Sequence, residues 1–296
     1  MIIDSHLHVW DRRRARYDWL RGQPPEIDRD VHFEEIEPTL ARYGIGGAVL
    51  VQSADNAADT ANMLATADAQ PRVLGVVGWA PLEDPAAAES CIQALRTDAR
   101  IVGVRNLVHE RSDPDGVLRP GFEAGLALLS DSGLPYDYVT SSPAALRHLA
   151  QLSEKHPELT IVIDHLGKPP IGGDGGDYKA WADLLASAAA NPRIVAKISG
   201  LYASTGPVDG WTDADLQRVV DVALEIFGPE RLMYGGDWPM SSLAGGYSRV
   251  WNSLHCALRG ALAEHDLALV MGGTAQRIYR LGQAPSQPRS QKRDQE

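Results

Sequence analysis

The residues best suited to chemistry open the chain. In Ile2-Ile3-Asp4-Ser5-His6-Leu7-His8 two histidines stand one residue apart. Strand side chains alternate between faces, so a strand over this segment turns both imidazoles the same way and sets two nitrogen donors side by side. A third histidine follows an apolar run in Thr160-Ile161-Val162-Ile163-Asp164-His165-Leu166-Gly167-Lys168-Pro169. A carboxylate follows another in Met233-Tyr234-Gly235-Gly236-Asp237-Trp238-Pro239, beside glycines that permit close approach. Each residue alone has an ordinary explanation, such as a satisfied core histidine or an aspartate capping the next turn. Their shared position at the ends of apolar runs makes joint coincidence a poor account of all four. Three histidines and an aspartate can move protons, activate water, or hold one metal ion in tetrahedral geometry.

Those positions need elements to bring them together. Short apolar, β-branched runs recur at nearly even intervals, at Ile2 to His8, Ile45 to Ser53, Val73 to Leu82, Ile101 to Leu107, Leu134 to Thr140, Leu159 to Gly167, Arg193 to Leu201 and Arg231 to Pro239. Alanine- and leucine-rich segments of helical spacing lie between them, at Ala86 to Leu95, Ala144 to Leu152, Trp181 to Ala190 and Leu216 to Phe227. Thr212 with Asp215 reads as a capping box, Ser142-Pro143 as a helix start and Phe227-Gly228-Pro229 as a stop. Eight strand-then-helix units predict an α/β fold, a closed (β/α)8 TIM barrel, whose C-terminal strand ends carry the catalytic groups. A doubly wound open sheet shares the pattern, but no GxGxxG follows a strand. One connection is oversized: Trp10 to Phe33 separates the first strand from the first helix, and is expected either to cover the barrel rim or to act as a substrate lid.

Composition bounds the rest. The 296 residues suit one barrel domain, expected over 1–283, with a polar, flexible tail over 284–296. A net charge of −11 excludes the basic face that nucleic acid demands. The cluster Arg12, Arg13, Arg14 and Arg16, interleaved with Asp11 and Asp18, reads as a solvated loop. Cys91 and Cys256 form no metal or disulfide pattern, and the chain carries neither a signal-like start nor a long apolar run, so the expected location is the cytoplasm, with no membrane partner. A homo-oligomer is compatible with this composition; oligomeric state is not legible in it.

The motifs DSHLHVW near the start, GVRNLV on the fourth strand, DHLGKP on the sixth, KISGL on the seventh and YGGDWPM on the eighth resemble the amidohydrolase-related branch of the amidohydrolase superfamily, from Ile2 to about Leu281. Within it the chain is similar to sugar-acid lactonases, such as L-fuconolactone and L-rhamnonolactone hydrolases, and to pyrone-dicarboxylate lactonases. The resemblance implies a hydrolase that opens a small lactone, with His6, His8 and His165 on the carbonyl side and Asp237 as the general base. The chemistry agrees, because lactone hydrolysis needs an activated water, an electrophile at the developing oxyanion and a proton for the leaving alkoxide. Aspartate, histidine and Lys168 or Arg105 can cover those three tasks.

The chain departs from the superfamily's two-metal pattern, for the fourth strand offers Val104-Arg105-Asn106 without a lysine and the fifth carries no histidine. A two-metal centre is therefore not expected, and His6, His8, His165 and Asp237 can hold a single zinc ion or work bare; the resemblance to lactonases of this branch, which lack the full ligand set, implies a catalyst that needs no metal, with the single zinc ion as the second option. Arg105, Asn106, His109, Tyr138, Lys168 and Trp238 are the expected substrate contacts, suited to a polyhydroxylated ring with an apolar face. A pyrone dicarboxylate would demand more than one arginine at the mouth, which favours a neutral sugar lactone. Two further readings stay open: a single-metal decarboxylase of an aromatic or unsaturated acid using the same four residues, and a silent sugar-binding barrel, against which Asp237 argues.

Overall fold

The eight apolar runs form eight strands, β1 (Ile2–Leu7), β2 (Ile45–Val51), β3 (Val73–Gly78), β4 (Ile101–Asn106), β5 (Tyr136–Tyr138), β6 (Ile161–Ile163), β7 (Ile194–Ile198) and β8 (Leu232–Tyr234), in the computed structural model of the chain. The described residues are 1–282 apart from 111, 112, 114, 141, 172–174 and 202–209; the tail expected over 284–296 lies outside them. All strand pairs are parallel and the order is β1 through β8 in sequence. The sheet closes where the parallel bridge Leu7–Trp238 joins its two ends. Two backbone hydrogen bonds secure that seam, from Asp237 N–H to the His6 carbonyl and from His8 N–H to the Trp238 carbonyl, each 2.8 Å. The barrel is therefore sewn shut by the backbone of the residues singled out for chemistry.

Helices follow the strands: α1 (Phe33–Arg42), α2 (Ala57–Ala69), α3 (Pro85–Leu95), α4 (Pro120–Ser132), α5 (Arg147–Lys155), α6 (Gly175–Ala189), α7 (Asp213–Phe227) and α8 (Tyr247–Ala261), with α9 (Glu264–Ala268) and α10 (Thr274–Ile278) after them among the described residues. Local chemistry sets their ends. The Thr212–Asp215 capping box is formed on both sides, and Gly228 stops α7 with a left-handed φ of 68°. Ser142-Pro143 opens a 3-10 turn that leads into α5, without a side-chain cap from the serine.

Two apolar clusters fill the molecule. The larger joins strands to helices. The smaller draws Ile3, Val49, Val51, Val77, Val102, Val162, Val195 and Met233 from seven different strands, as the interior of a closed barrel must, and is plugged by Ala275, Tyr279 and Leu281. In β1 the pairing advances three residues from Asp4 to Leu7 while β2 advances two, from Ala48 to Leu50. That extra residue is a bulge, which shifts the alternation and lets Ile3 pack in the interior while His6 and His8 turn toward the mouth above it.

The long first connection lies over the barrel mouth as a roof, tied to the wall by hydrogen bonds. Trp10 bridges Val31, and its indole N–H donates to the Arg29 carbonyl at 2.6 Å. Tyr17 donates its hydroxyl to the buried Asp59 at 2.7 Å, and the Trp19 indole donates to the Ser53 carbonyl at 2.7 Å. Asp59 also accepts the backbone N–H of Ser53, so one carboxylate ties the roof to the barrel wall.

Candidate active site

A cavity of about 380 Å3 opens at the C-terminal end of the strands. His8, His165 and Asp237 lie on its floor beside Arg105, while Lys168, His109 and Glu110 stand on its wall. Trp10, Trp19 and Gln23 reach in from the roof. His6 is fully buried just beneath, its ring centroid 4.8 Å from that of His8 and 4.6 Å from that of His165.

The chain positions each group by a local device. His165 and Lys168 belong to a turn after β6 with left-handed φ values of 55° and 60°, and Asp237 sits at φ 50° after β8. Non-glycine residues in this region are uncommon and concentrate at functional sites. Each histidine is also oriented from behind. His8 Nδ1 lies 2.7 Å from the Val51 carbonyl, His165 Nδ1 lies 2.9 Å from Ser199 Oγ, and His6 Nδ1 lies 3.1 Å from Lys197 Nζ and 3.3 Å from Asp164 Oδ1.

Burial and charge set the protonation of the site. Burial pushes the Asp237 carboxyl up, but His165, the hydrogen bond from His8 and the nearby His6 outweigh it and hold the group well below the carboxylate range. Asp237 is thus a buried carboxylate kept ionised by the surrounding histidines. Burial lowers His6 and His165, with Lys197 acting in the same direction on the former and Arg105 on the latter. His109 falls to about 3 through burial and the cations Lys168 and Arg105. Lys168 is lowered from the ordinary lysine range by burial and by Arg105, against the raising influence of Asp237 and Glu110.

Beneath the floor lies a charge network that the strands' apolar patterning hides. Lys197, fully buried on β7, approaches Asp137 at 2.6 Å and Asp164 at 3.1 Å. Tyr279 donates to Asp137 at 2.7 Å, and Arg105 donates to Asp164 at 2.8 Å and to the Gln52 carbonyl at 2.5 Å. Asp4 accepts the N–H groups of His6 and Gly236 and the hydroxyl of Tyr247, while burial lifts its carboxyl to about 7.

Of the expected substrate contacts, Arg105, His109 and Lys168 line the cavity, and Asn106, Tyr138 and Trp238 are not among its lining residues. Neighbouring strand residues face opposite ways, so Arg105 and Asp137 point in while Asn106 donates to the Ala80 carbonyl and Tyr138 meets His148 and the Ala145 carbonyl. Trp238 packs into the larger apolar cluster. Lys197, Gly200 and the roof residues Trp19 and Gln23 carried no role in the sequence reading. A lysine inside an apolar strand run was the available signal for the first.

The residues fit a metal ion. His6, His165 and Asp237 each offer a ligand atom within 4.8 Å of the others. His6 Nε2 and His8 Nε2 are 3.2 Å apart, and Asp237 Oδ1 lies 3.5 Å from the latter and 3.8 Å from the former. Ligands at zinc-like bond lengths around a tetrahedron stand roughly 3.4 Å apart.

A closed (β/α)8 barrel that gathers histidines and an ionised aspartate at its strand ends defines a water-activating hydrolase scaffold. The chain belongs to the amidohydrolase family, whose model matches residues 3–281. It is similar to the L-fucono-1,5-lactonases of Burkholderia ambifaria, at 33% identity over 94% of this chain and 95% of that protein, and of Burkholderia multivorans, at 31% over 94% and 96%. Among solved structures, an amidohydrolase from Burkholderia multivorans with bound zinc superposes with a TM-score of 0.86 at 29% identity, covering 95% of this chain and 99% of that one.

Proposed function

We propose that this protein hydrolyses a sugar lactone of the L-fucono-1,5-lactone kind. The observation that carries the reading is an ionised, buried Asp237 on the floor of a cavity whose wall holds a desolvated lysine. The likeness to L-fucono-1,5-lactonases supports the substrate class. A volume of about 380 Å3 suits a single small ring. Among the described residues, buried Arg105 Nε and His109 Nδ1 have no protein partner, which leaves hydrogen-bonding capacity for substrate oxygens. Trp10 and Trp19 offer aromatic surface to the sugar's apolar face. Glu110 on the wall, with Arg105 committed to Asp164 and Gln52, disfavours a dicarboxylate ring.

In the reaction Asp237 takes a proton from water, and the resulting hydroxide attacks the lactone carbonyl. The site's N–H donors stabilise the oxyanion, and the bond from the carbonyl carbon to the ring oxygen breaks as Lys168 Nζ delivers a proton to the departing alkoxide. The sugar acid leaves ionised; of the two protons then held by the new carboxyl group and by Asp237, one restores Lys168 and the other goes to solvent. Where His6, His8, His165 and Asp237 hold a zinc ion, it supplies Lewis-acid polarisation of the carbonyl and a more acidic water.

The test is acid release measured with a pH indicator over aldonolactones and pyrone-dicarboxylate lactone, on chelator-treated and zinc-supplemented protein. The expected result is turnover of one sugar lactone, lowered about 10²–10⁴-fold in Asp237→Asn with the fold intact. Near-normal turnover in that variant, or silence of the wild type on every sugar lactone, overturns the proposal. Activity surviving chelation assigns the reaction to the side chains alone; activity confined to the zinc arm assigns the ion a part.

A further inference from the structure

Taking the cavity as a sugar-lactone site, we infer that Asp59 is a positioning residue for substrate binding: its carboxylate fixes the roof to the turn after β2 and so holds Trp19 in place for the sugar ring. Asp59 is fully buried in the first turn of α2, where a carboxylate is costly unless its lone pairs are met. Its two oxygens divide the work. Oδ1 accepts the Tyr17 hydroxyl of the roof at 2.7 Å and faces the Ser53 hydroxyl at 3.4 Å. Oδ2 accepts the N–H groups of Ser53 at 2.8 Å and of Ala54 at 3.2 Å.

Helix capping does not account for this carboxylate. Asn56 is the N-cap of α2, and its side chain accepts the Asp59 N–H at 3.0 Å. In a capping box the side chain at position 59 would answer by accepting the N–H of the N-cap residue. Here the Asn56 N–H goes to the Ala54 carbonyl instead, which leaves Asp59 for the roof and the turn.

Three ties from the roof end on that turn. Asn56 Nδ2 donates to the Arg16 carbonyl at 3.1 Å, Tyr17 donates to Asp59, and the Trp19 indole donates to the Ser53 carbonyl at 2.7 Å. Each passes through a residue that Asp59 itself contacts. What they place is the aromatic side of the cavity. Trp19 and Ser53 line it, Trp10 meets Trp19 edge to face with ring centroids 5.4 Å apart, and Gln23, another lining residue, donates to the Trp19 carbonyl at 3.2 Å.

The catalytic floor is fixed separately. Val51, whose carbonyl orients His8, pairs with Val77 of β3, and the Gln52 N–H donates to the Val77 carbonyl at 2.9 Å. The hold of Asp59 begins one residue further on, at Ser53. Loss of its carboxylate therefore weakens binding of the ring and spares the chemical step.

The test compares Asp59→Ala, Asp59→Asn and Tyr17→Phe in the full chain, by hydrogen exchange read in a mass spectrometer and by steady-state hydrolysis of L-fucono-1,5-lactone. Asparagine can keep the network, its oxygen accepting from Ser53 and Ala54 and its NH2 donating to the Tyr17 oxygen. Tyr17→Phe removes the roof arm alone, should Asp59→Ala fail to fold. The expected results are faster exchange over the roof in Asp59→Ala and Tyr17→Phe, KM raised roughly 3–10-fold in both with kcat within about twofold, and near-wild-type values in Asp59→Asn. Unchanged roof exchange or unchanged KM in the folded variants, a fall in kcat as large as the rise in KM, or an Asp59→Asn protein as impaired as Asp59→Ala overturns the inference. Exchange needs no substrate, so a wild type inactive on sugar lactones refutes the proposed function while the exchange data still decide whether Asp59 holds the roof.

Discussion

Replacing Gly200 with alanine drives a methyl group between the two halves of the site. Gly200 follows Ser199 after β7 with φ +53°, and a Cβ on it stands 2.4 Å from His165 Nδ1 and 2.7 Å from Asp237 Oδ2. Ordinary contact begins at 3.4 Å, so the imidazole must retreat by about 1 Å and the carboxylate by roughly 0.7 Å. His165 cannot retreat without straining its 2.9 Å contact with Ser199, and Asp237 is pinned through its own backbone to His6. A misplacement of ~1 Å at reacting groups costs on the order of 10²-fold in rate, equivalent to about 2.7 kcal/mol of transition-state stabilisation. The left-handed backbone adds ~1–2 kcal/mol of instability, which affects folding and leaves turnover by folded protein untouched. Gly44→Ala separates the two effects, because Gly44 has φ +68° and nothing within 4 Å of its Cβ position. Both variants should lose stability in urea titrations, and Gly200→Ala alone should lose about 10²-fold in kcat/KM for the sugar lactone. Turnover by Gly200→Ala within threefold of wild type, or an equal loss in Gly44→Ala, would refute the reasoning.

Trp19→Ala removes an aromatic wall and the tether to Ser53, and should raise KM roughly tenfold with kcat nearly unchanged; a fall in kcat alone would contradict a binding role. Tyr17→Phe strips one hydrogen bond from the buried Asp59 and should cost ~1–2 kcal/mol of stability, read as a shift in urea midpoint. Asp4 gives a pH signature. Its folded pKa of about 7 exceeds the ordinary 3.8, so its stabilising contribution is complete below the ordinary value and is lost as pH rises through 7. Asp4→Asn should remove that decline, roughly 4 kcal/mol between pH 4 and 8, and wild-type and variant stabilities that run parallel over this range would exclude it.

The alternation of strand and helix follows from local chemistry: β-branched runs too short to be anything else, the Thr212–Asp215 capping box and the Gly228 stop. Reading along the chain also places His6, His8, His165 and Asp237 together, because every apolar run that ends in a polar residue points it at the same rim once the runs are parallel. The sequence has less to say about facing. In a parallel barrel both sides of a strand are buried, so apolar residues on either side of Arg105 or Tyr138 look alike, and Asn106, Tyr138 and Trp238 could be assigned to the cavity only by guessing. The bulge between Asp4 and Leu7 is set by pairing with β2, a partner some forty residues away. Lys197 reads as one polar residue in the run Ile194–Ile198, and its meaning depends on Asp137 from β5, Asp164 after β6 and Tyr279 after α10. Chain-local physics determined which elements form and which residues end them. Tertiary structure alone decided which buried charges meet, because that depends on register and closure, and no single segment carries either.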